Sequence, residues 1–445
     1  MTKDLTTGSV TRCIIGFVIP IFLGMLFQQL YNMADTFIVG RYLGLNHLAG
    51  VGATSSLYFL VIGFGTGVTT GFAVPIAQKF GAGDRVGVRS FVINAAYLSI
   101  VISVVVGILT GATSGWMLRM MNTPDEIHRY AWLYISIIFY GLPFTFLYNM
   151  VSGIMRALGD SRTPVIFLVI SSIINVVLDL FFIIVLKMET DGASLATVIS
   201  QAVAGLAGLV YMVRKFDILR MEPLEDRRPN KYHMAHLLYI GVPMGLQFSI
   251  TAIGTIIVQV AVNGFGALAV AGVTASNKIY NLVTCVLEAF GPTMATFTGQ
   301  NYGAGRLERV DEGLKVSTII SVSAGIIICI VLHFVVEDFA GLFISKDQIE
   351  AIAYAKQHAL ITSYFLVFLA LINNFRYAIQ GLGYSVFAML AGVIELVGRA
   401  AVAFLLPGIF GFAGICFASP VAWVAVDFFL VPAYLWCRRK LERRT

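Results

Sequence analysis

Charge is what this chain has least of. Only 12% of its 445 residues are Asp, Glu, Lys or Arg, about half the share of an ordinary soluble protein. So few charges cannot coat a globule of this length, which excludes a soluble enzyme. Disorder, a disulfide-stapled secreted fold and a DNA-binding domain fall to the same arithmetic. Cysteine is scarce too: Cys13, Cys285, Cys329, Cys416 and Cys437 are scattered, mostly inside apolar runs, with no CxxC pair. They read as small buried hydrophobes rather than a zinc or redox site. No GxxxxGK[ST] sequence occurs, so no P-loop supplies ATP energy, and HExxH and GxSxG are missing. His233 and His236 have helical i, i+3 spacing but read as solvated residues at a helix start rather than metal ligands. The chain is not expected to be an enzyme, and no cofactor is expected beyond a coupling ion.

What the chain does have is apolar runs. Hydrophobic residues make up 58% of it and the mean hydropathy is +0.85. Runs of about twenty apolar residues, enough to cross a hydrocarbon core of about 30 Å as a helix, recur from end to end. Twelve spans are expected, at 13–40, 48–78, 89–115, 127–155, 163–187, 192–214, 235–262, 267–299, 312–336, 349–380, 384–407 and 411–437. The first run is too long for a signal-peptide core and reads as a retained helix. The net charge of +6 does not imply a nucleic-acid partner, because the positive residues sit in short loops and a basic tail. Of 30 Lys and Arg, 22 fall in segments on the side of the two termini, counting Arg376 among them. The positive-inside rule then places both termini in the cytoplasm and the protein in the plasma (inner) membrane. Trp116, Trp132, Tyr434 and Trp436 fit either interfacial belts or packing.

The two halves repeat. Pro20 matches Pro243 at an offset of 223, and Gln78-Lys79-Phe80-Gly81-Ala82-Gly83 matches Gln300-Asn301-Tyr302-Gly303-Ala304-Gly305 at 222. Ala49–Thr54 matches Ala271–Ser276 at 222, Thr123–Asp125 aligns with Ser345–Asp347, and Leu158-Gly159 with Leu382-Gly383 at 224. Six spans repeating six spans insert with the same orientation, related by an axis along the membrane normal. The expected fold is therefore all-α: two pseudo-symmetric six-helix bundles with a central cleft. An N-lobe at 1–214, a cytoplasmic linker at 215–234 and a C-lobe at 235–445 are the expected domains. Such a plan suits an alternating-access carrier.

An Asp at mid-membrane costs about 2.5–3.5 kcal/mol even on insertion scales, so acids within spans need a partner, a wet cavity or a function. Asp35 follows Gln28 and Asn32 on one helical face, which is expected to look inward. Asn175 and Asp179 are one turn apart on the fifth span, and Thr197 is early in the sixth. Counted from the outer ends, Asp35, Asp179 and Thr197 fall about 9–12 Å below the surface. Two carboxylates, an amide and a hydroxyl at one depth suit a hard monovalent cation or a shared proton. A hydrogen-bonded knot that only fixes packing is the other reading. In the second half, Asn277, Asn281, Thr284 and Glu288 form a stripe with Lys278 beside it. Glu395 and Arg399, at i, i+4, read as an internal ion pair. Substrate contact and neutralised packing are both open for these residues, and Asp427 has no sequence-local partner. Pro20 and Pro243 are expected to bend their helices, as hinges or static kinks. Gly63, Gly65, Gly67 and Gly71 read as close packing or flexibility.

The duplicated twelve-span plan, Asn32-Met-Ala-Asp35-Thr36 and the paired Gln-x-x-Gly-Ala-Gly loops resemble the multidrug and toxic compound extrusion (MATE) family. Asp35 with Asn175-x-x-x-Asp179 and Thr197 is similar to its DinF-like prokaryotic branch. The resemblance covers essentially the whole chain. It implies a Na+- or H+-coupled antiporter exporting organic, often cationic and aromatic, compounds. It also implies that Asp35, Asn175, Asp179 and Thr197 form the cation or proton site, liganding Na+ if sodium is the coupling ion, and that bending at Pro20 takes part in switching. Another branch has a carboxylate in the seventh helix and an Asp in the tenth. Gln247, Thr251, Asn373 and Asn374 occupy those regions here, so no second cation site is implied. Small organic substrates and the bilayer are the expected partners, with no nucleic acid and no obligate protein partner. A lipid-linked flippase of the same superfamily, or a non-transporting receptor or scaffold, are the alternatives.

Overall fold

The computed structural model describes residues 4–220, 228–345 and 348–443, and among these there is no strand. Glu222, Glu225, Asp226 and Arg227 of the linker, and Lys346 and Asp347 of the repeat, lie outside the described residues.

The spans fall where the apolar runs place them. Span 1 is Val10–Tyr42 and span 2 is Leu45–Ala53 followed by Ser55–Gly81. Span 3 is Arg85–Met120, and span 4 is Asp125–Tyr140 with Leu142–Ala157. Span 5 is Arg162–Leu180 continued by Phe181–Val185, and span 6 is Thr190–Lys215. Span 7 is Lys231–Asn263, span 8 is Ala267–Glu288 with Phe290–Gly303, and span 9 is Leu307–Ala340. Span 10 is Ile349–Ser363 with Leu366–Gly381, and span 11 is Ser385–Leu405 with Pro407–Phe410. Span 12 is Phe412–Cys416 with Ala418–Glu442. Among the described residues nine helices are long and apolar enough to cross a membrane, and two bent pairs raise the number to eleven. Span 8 is the twelfth. Its polar stripe lowers its hydropathy, and it holds the repeat position of span 2.

The duplication is written in the turns as well as the helices. Gly44 and Gly266, Gly83 and Gly305, and Gly159 and Gly383 all have positive φ, at offsets of 222, 222 and 224. Lys187 and Gly411, 224 apart, do so too, at 54° and 59°. Spans 4 and 10 each break with a bend of 50°. In span 4 the break is at Gly141, and Pro143 opens the second segment, where its missing N–H costs nothing.

By packing, the chain forms two units. The first holds Leu23–Ser249 and the second Ile250–Thr445 together with Thr6–Phe22. The division differs from the expected 214/235 boundary at the openings of spans 1 and 7, and it falls just past Pro20 and a few residues past Pro243. In the second unit, Arg309 donates to the carbonyls of Gly8 (2.8 Å) and Thr7 (3.0 Å), and Arg306 donates to that of Thr6. In the first unit, the Asn230 N–H donates to Asn94 Oδ1 at 2.8 Å. His233 Nδ1 lies 2.7 Å from Ser90 Oγ, and its ring stacks on Phe91. His233 is thus a packing residue.

Span 2 is central to the first unit, with 61% of its most apolar window buried. A Cβ on Gly67 would stand 2.5 Å from the Met244 carbonyl oxygen, and one on Gly71 would stand 2.5 Å from Gly241 Cα. A Cβ on Gly65 would meet the Phe146 ring at 2.4 Å. Of the two readings of this glycine run, these three positions show close packing. The five cysteines are free, and all but Cys329 are buried. Trp116, Trp132 and Trp436 are exposed, whereas Tyr434 is buried and donates to Asp311 Oδ1 at 2.6 Å.

Three outcomes follow. Gly67→Leu and Gly71→Leu, which force backbone apart, should each cost at least about 1–3 kcal/mol, read as a lower melting temperature of purified protein. Gly52→Ala, with open space around its Cβ, should be neutral or slightly stabilising. Asp84, outside the spans, accepts from Lys79 Nζ and from the Gly87 N–H, both at 2.8 Å. The Lys79 bond first, then the Gly87 bond, hold its carboxyl below the usual range. A depressed carboxyl stabilises above its unfolded pKa, and that contribution is lost as pH falls through its folded pKa. Asp84→Asn should therefore melt slightly lower than wild type at pH 7, with the gap closing below about pH 4.

Candidate cation site in the first unit

Span 5 is amphipathic in the sense a bilayer demands. Ser171, Asn175 and Asp179, at i, i+4 and i+8, are buried, while Ile173 and Val177 on the other side are exposed. The polar face turns into the unit because a polar face against lipid would leave its hydrogen bonds unmet. Directly after Asp179 the helix widens into a π-helical turn, Phe181–Val185, a distortion frequent at functional sites.

The four residues singled out by type and depth come together. Asp35, Asn175, Asp179 and Thr197 are all buried, Asn175 and Asp179 completely. The orientation of the Asn175 amide that satisfies both its ends points nitrogen at Asp179 Oδ2 (3.0 Å) and oxygen at the Thr197 N–H (3.1 Å). The Thr197 hydroxyl lies 3.2 Å from that amide and donates to the Ala193 carbonyl at 3.1 Å. The side chains of Asp35 and Asp179 are within hydrogen-bonding reach of each other. Two carboxylates cannot bond to one another without a proton or cation between them. Oδ1 of each is buried with no hydrogen-bond partner. The donor set is oxygen only and contains two acids. Such an oxygen-only set with two acids is one that a monovalent hard cation or a proton could occupy.

Three tyrosines that the sequence reading passed over lie near the site. Tyr31 is close to the Thr197 side chain and within electrostatic range of both acids. Tyr58 on span 2 is within range of Asp35, and Tyr134 on span 4 within range of both. The available signal was spacing: Tyr31 is one helical turn before Asp35. Gln28 and Asn32 do not enter the site. Both are exposed while Asp35 is buried.

The second unit holds a different arrangement. Glu395 and Arg399 form the expected ion pair at 2.7 Å. Arg376, counted from sequence among the loop charges, is instead buried in span 10 and pairs with Glu395 at 3.0 Å. A loop charge would be exposed, so the positive-inside tally loses that residue. Asp427 is buried, both its oxygens lack hydrogen-bond partners, and it lies within electrostatic range of Arg376. In the span 8 stripe, Thr284 donates to Glu288 Oε1 at 3.2 Å, while Asn277, Lys278 and Asn281 are exposed. Asn374 is saturated by Ser317, by Ser321 at 2.7 Å and by the Ala370 carbonyl at 2.7 Å.

Twelve duplicated spans with this buried polar centre define a multi-pass membrane transporter. The MatE family model matches residues 20–181 and 243–405, one match in each half, and the chain belongs to that family. The probable multidrug resistance protein YpnP of Bacillus subtilis (strain 168) is 31% identical over 311 residues, 69% of this chain and 68% of that protein. The multidrug export protein MepA of Staphylococcus saprophyticus is 23% identical over 93% of this chain and 91% of its own length. Two solved structures share the fold at 22% identity. The crystal structure of MATE in complex with MaL6 has a TM-score of 0.89 over 100% of both chains. A MOP superfamily transporter from Pyrococcus furiosus has a TM-score of 0.90 over 99% of this chain and 97% of its own.

The facing acids set a stability test. In sodium-free buffer at neutral pH, Asp35→Asn and Asp179→Asn should melt no lower than wild type, since each removes one side of a repulsion. Asn175→Leu should cost about 1–3 kcal/mol, because it strips Asp179 of its donor. Thermal melts in detergent decide it.

Proposed function

We propose that this protein is a secondary multidrug exporter, in which inward movement of sodium or a proton drives outward movement of organic, mainly cationic and aromatic, compounds. The observation that carries the reading is the meeting of Asp35 and Asp179 with an unpartnered oxygen on each. Asn175 positions Asp179, Thr197 adds a further oxygen, and the tyrosines wall the site. A cation entering here offsets one of the two negative charges and relieves the repulsion, and leaving restores it, so the two charge states favour different packings of spans 1 and 5. For export, cation and cargo must compete or select different states, and the coupling acts equally in both directions. Pro20, close to where span 1 passes from one unit to the other, is the hinge in this reading. Gln28, Asn32, Asn277, Asn281 and Glu288 are its substrate-contact candidates. The multidrug names of the YpnP and MepA relatives support the cargo class. The distribution of Lys and Arg supports cytoplasmic termini in the plasma membrane.

Purified protein in liposomes, loaded with a fluorescent cationic dye, tests this under a sodium gradient and, separately, a pH gradient. Wild type should respond to one of the two. Asp35→Asn and Asp179→Asn should each cut that response about tenfold or more. Export by both variants at the wild-type rate would sink the coupling role. Movement of lipid intermediates with indifference to either gradient would point to a flippase instead.

A further inference from the structure

The duplication gives every residue of the first unit's site a counterpart in the second. Span 11 is span 5 shifted by 224, and the register is pinned at both ends. Leu158-Gly159 pairs with Leu382-Gly383 before the span, and Lys187 pairs with Gly411, also at positive φ, after it. Asn175 therefore corresponds to Arg399, Asp179 to Ala403 and Ser171 to Glu395. Thr197 corresponds to Val421, and Asp35, at an offset of 222 or 223, to Ile257 or Val258. The oxygen-bearing side chains of Asp35, Asn175, Asp179 and Thr197 are all gone, whereas Tyr58 keeps a counterpart in Tyr280 at offset 222, and a guanidinium stands where the amide stood.

The side chain also fills the equivalent space. Arg399 reaches from span 11 to span 7, its Nη1 lying 3.4 Å from the Thr251 carbonyl. Its Cδ and Nη1 lie 3.3 and 3.4 Å from where a Cβ on Gly254 would be. Gly254 is the counterpart of Tyr31 at offset 223, so the phenol near the first site is absent where the guanidinium needs room. Arg399 is 6% exposed and Glu395, at 4%, holds it.

We propose that Arg399 is a tethered cation, filling permanently in the second unit the position through which the first unit exchanges a cation with solution. The proposal rests on the coupling reading for the meaning of the first site, but it is measured separately from it. It makes the duplicated carrier single-sited. The second unit keeps a positive group where the first carries one only when loaded. A pair present only for packing would leave no appetite for a free cation when the arginine is removed, whereas a filled cation site would.

The test uses full-length protein in lipid nanodiscs carrying Asp35→Asn and Asp179→Asn, which silence the first site. Adding Arg399→Ala leaves Glu395, still paired with Arg376 through its other oxygen, beside an empty guanidinium-sized space. Millimolar guanidinium or sodium chloride should then raise the melting temperature saturably, by about 3 °C or more. Choline chloride should not, and Glu395→Gln should abolish the rise. A flat response to guanidinium and sodium overturns the proposal. Should Arg399→Ala fail to fold, calorimetric counting of sodium or protons taken up decides. Wild type should take up one, and the Asp35→Asn/Asp179→Asn protein none. A cation site surviving in that double variant also overturns it. If the double variant still exports under a gradient, the coupling reading falls instead, and the Arg399→Ala response remains interpretable.

Discussion

Two carboxylates brought face to face away from water repel by about 4 kcal/mol at 4 Å, even at an effective dielectric of 20. That constraint governs the first unit. Asp35 and Asp179 arrive from different helices, so the repulsion acts between elements rather than within one. In the proposed reading something small and positive stands between them, and its coming and going changes the force between spans 1 and 5. The surrounding groups make sense in this light. Asn175 fixes one acid by a directed N–H, Thr197 anchors the amide through its backbone, and the tyrosines keep out lipid while offering polar tips. The π-helical turn after Asp179 loosens the helix where such a force would be felt.

Much of this was legible before any coordinates. Hydropathy located the spans because the bilayer leaves a backbone few options, and paired loops gave the repeat because the turns need the same conformation twice. The acids, the amide and the hydroxyl were found by type and depth. Other features depend on tertiary packing and escaped. Nothing in a linear pattern says that residues 6–22 pack with the second half, since a long apolar helix looks the same whichever bundle receives it. Arg376 sits near a span end, where position alone cannot separate a loop charge from a buried partner of Glu395. Tyr31 was masked by its apolar ring, and Gln28 and Asn32 share a helical face with Asp35 only nominally, because a few tens of degrees decide burial at a helix margin.

The second unit shows how a duplicated fold diverges. Both halves keep the turns, the broken fourth and tenth spans and the proline in the opening helix, which are the parts that geometry demands. What differs is the polar interior. The first half is built from acids with little to balance them, and the second from arginines and acids that balance one another. Asp427, unexplained by its own neighbours in sequence, belongs to this balance through Arg376. The backbone plan is conserved between the halves because folding depends on it, and the charges are free to specialise.

The glycine seam of span 2 has a mechanical consequence. Where main chain meets main chain at Gly67 and Gly71, there is no side-chain cushion to slide over, and the opening turns of span 7 are notched into span 2 like a key in its ward. Those turns are carried rigidly wherever span 2 goes. Any flexing of span 7 would then have to fall beyond the last notch, past Pro243 rather than at it.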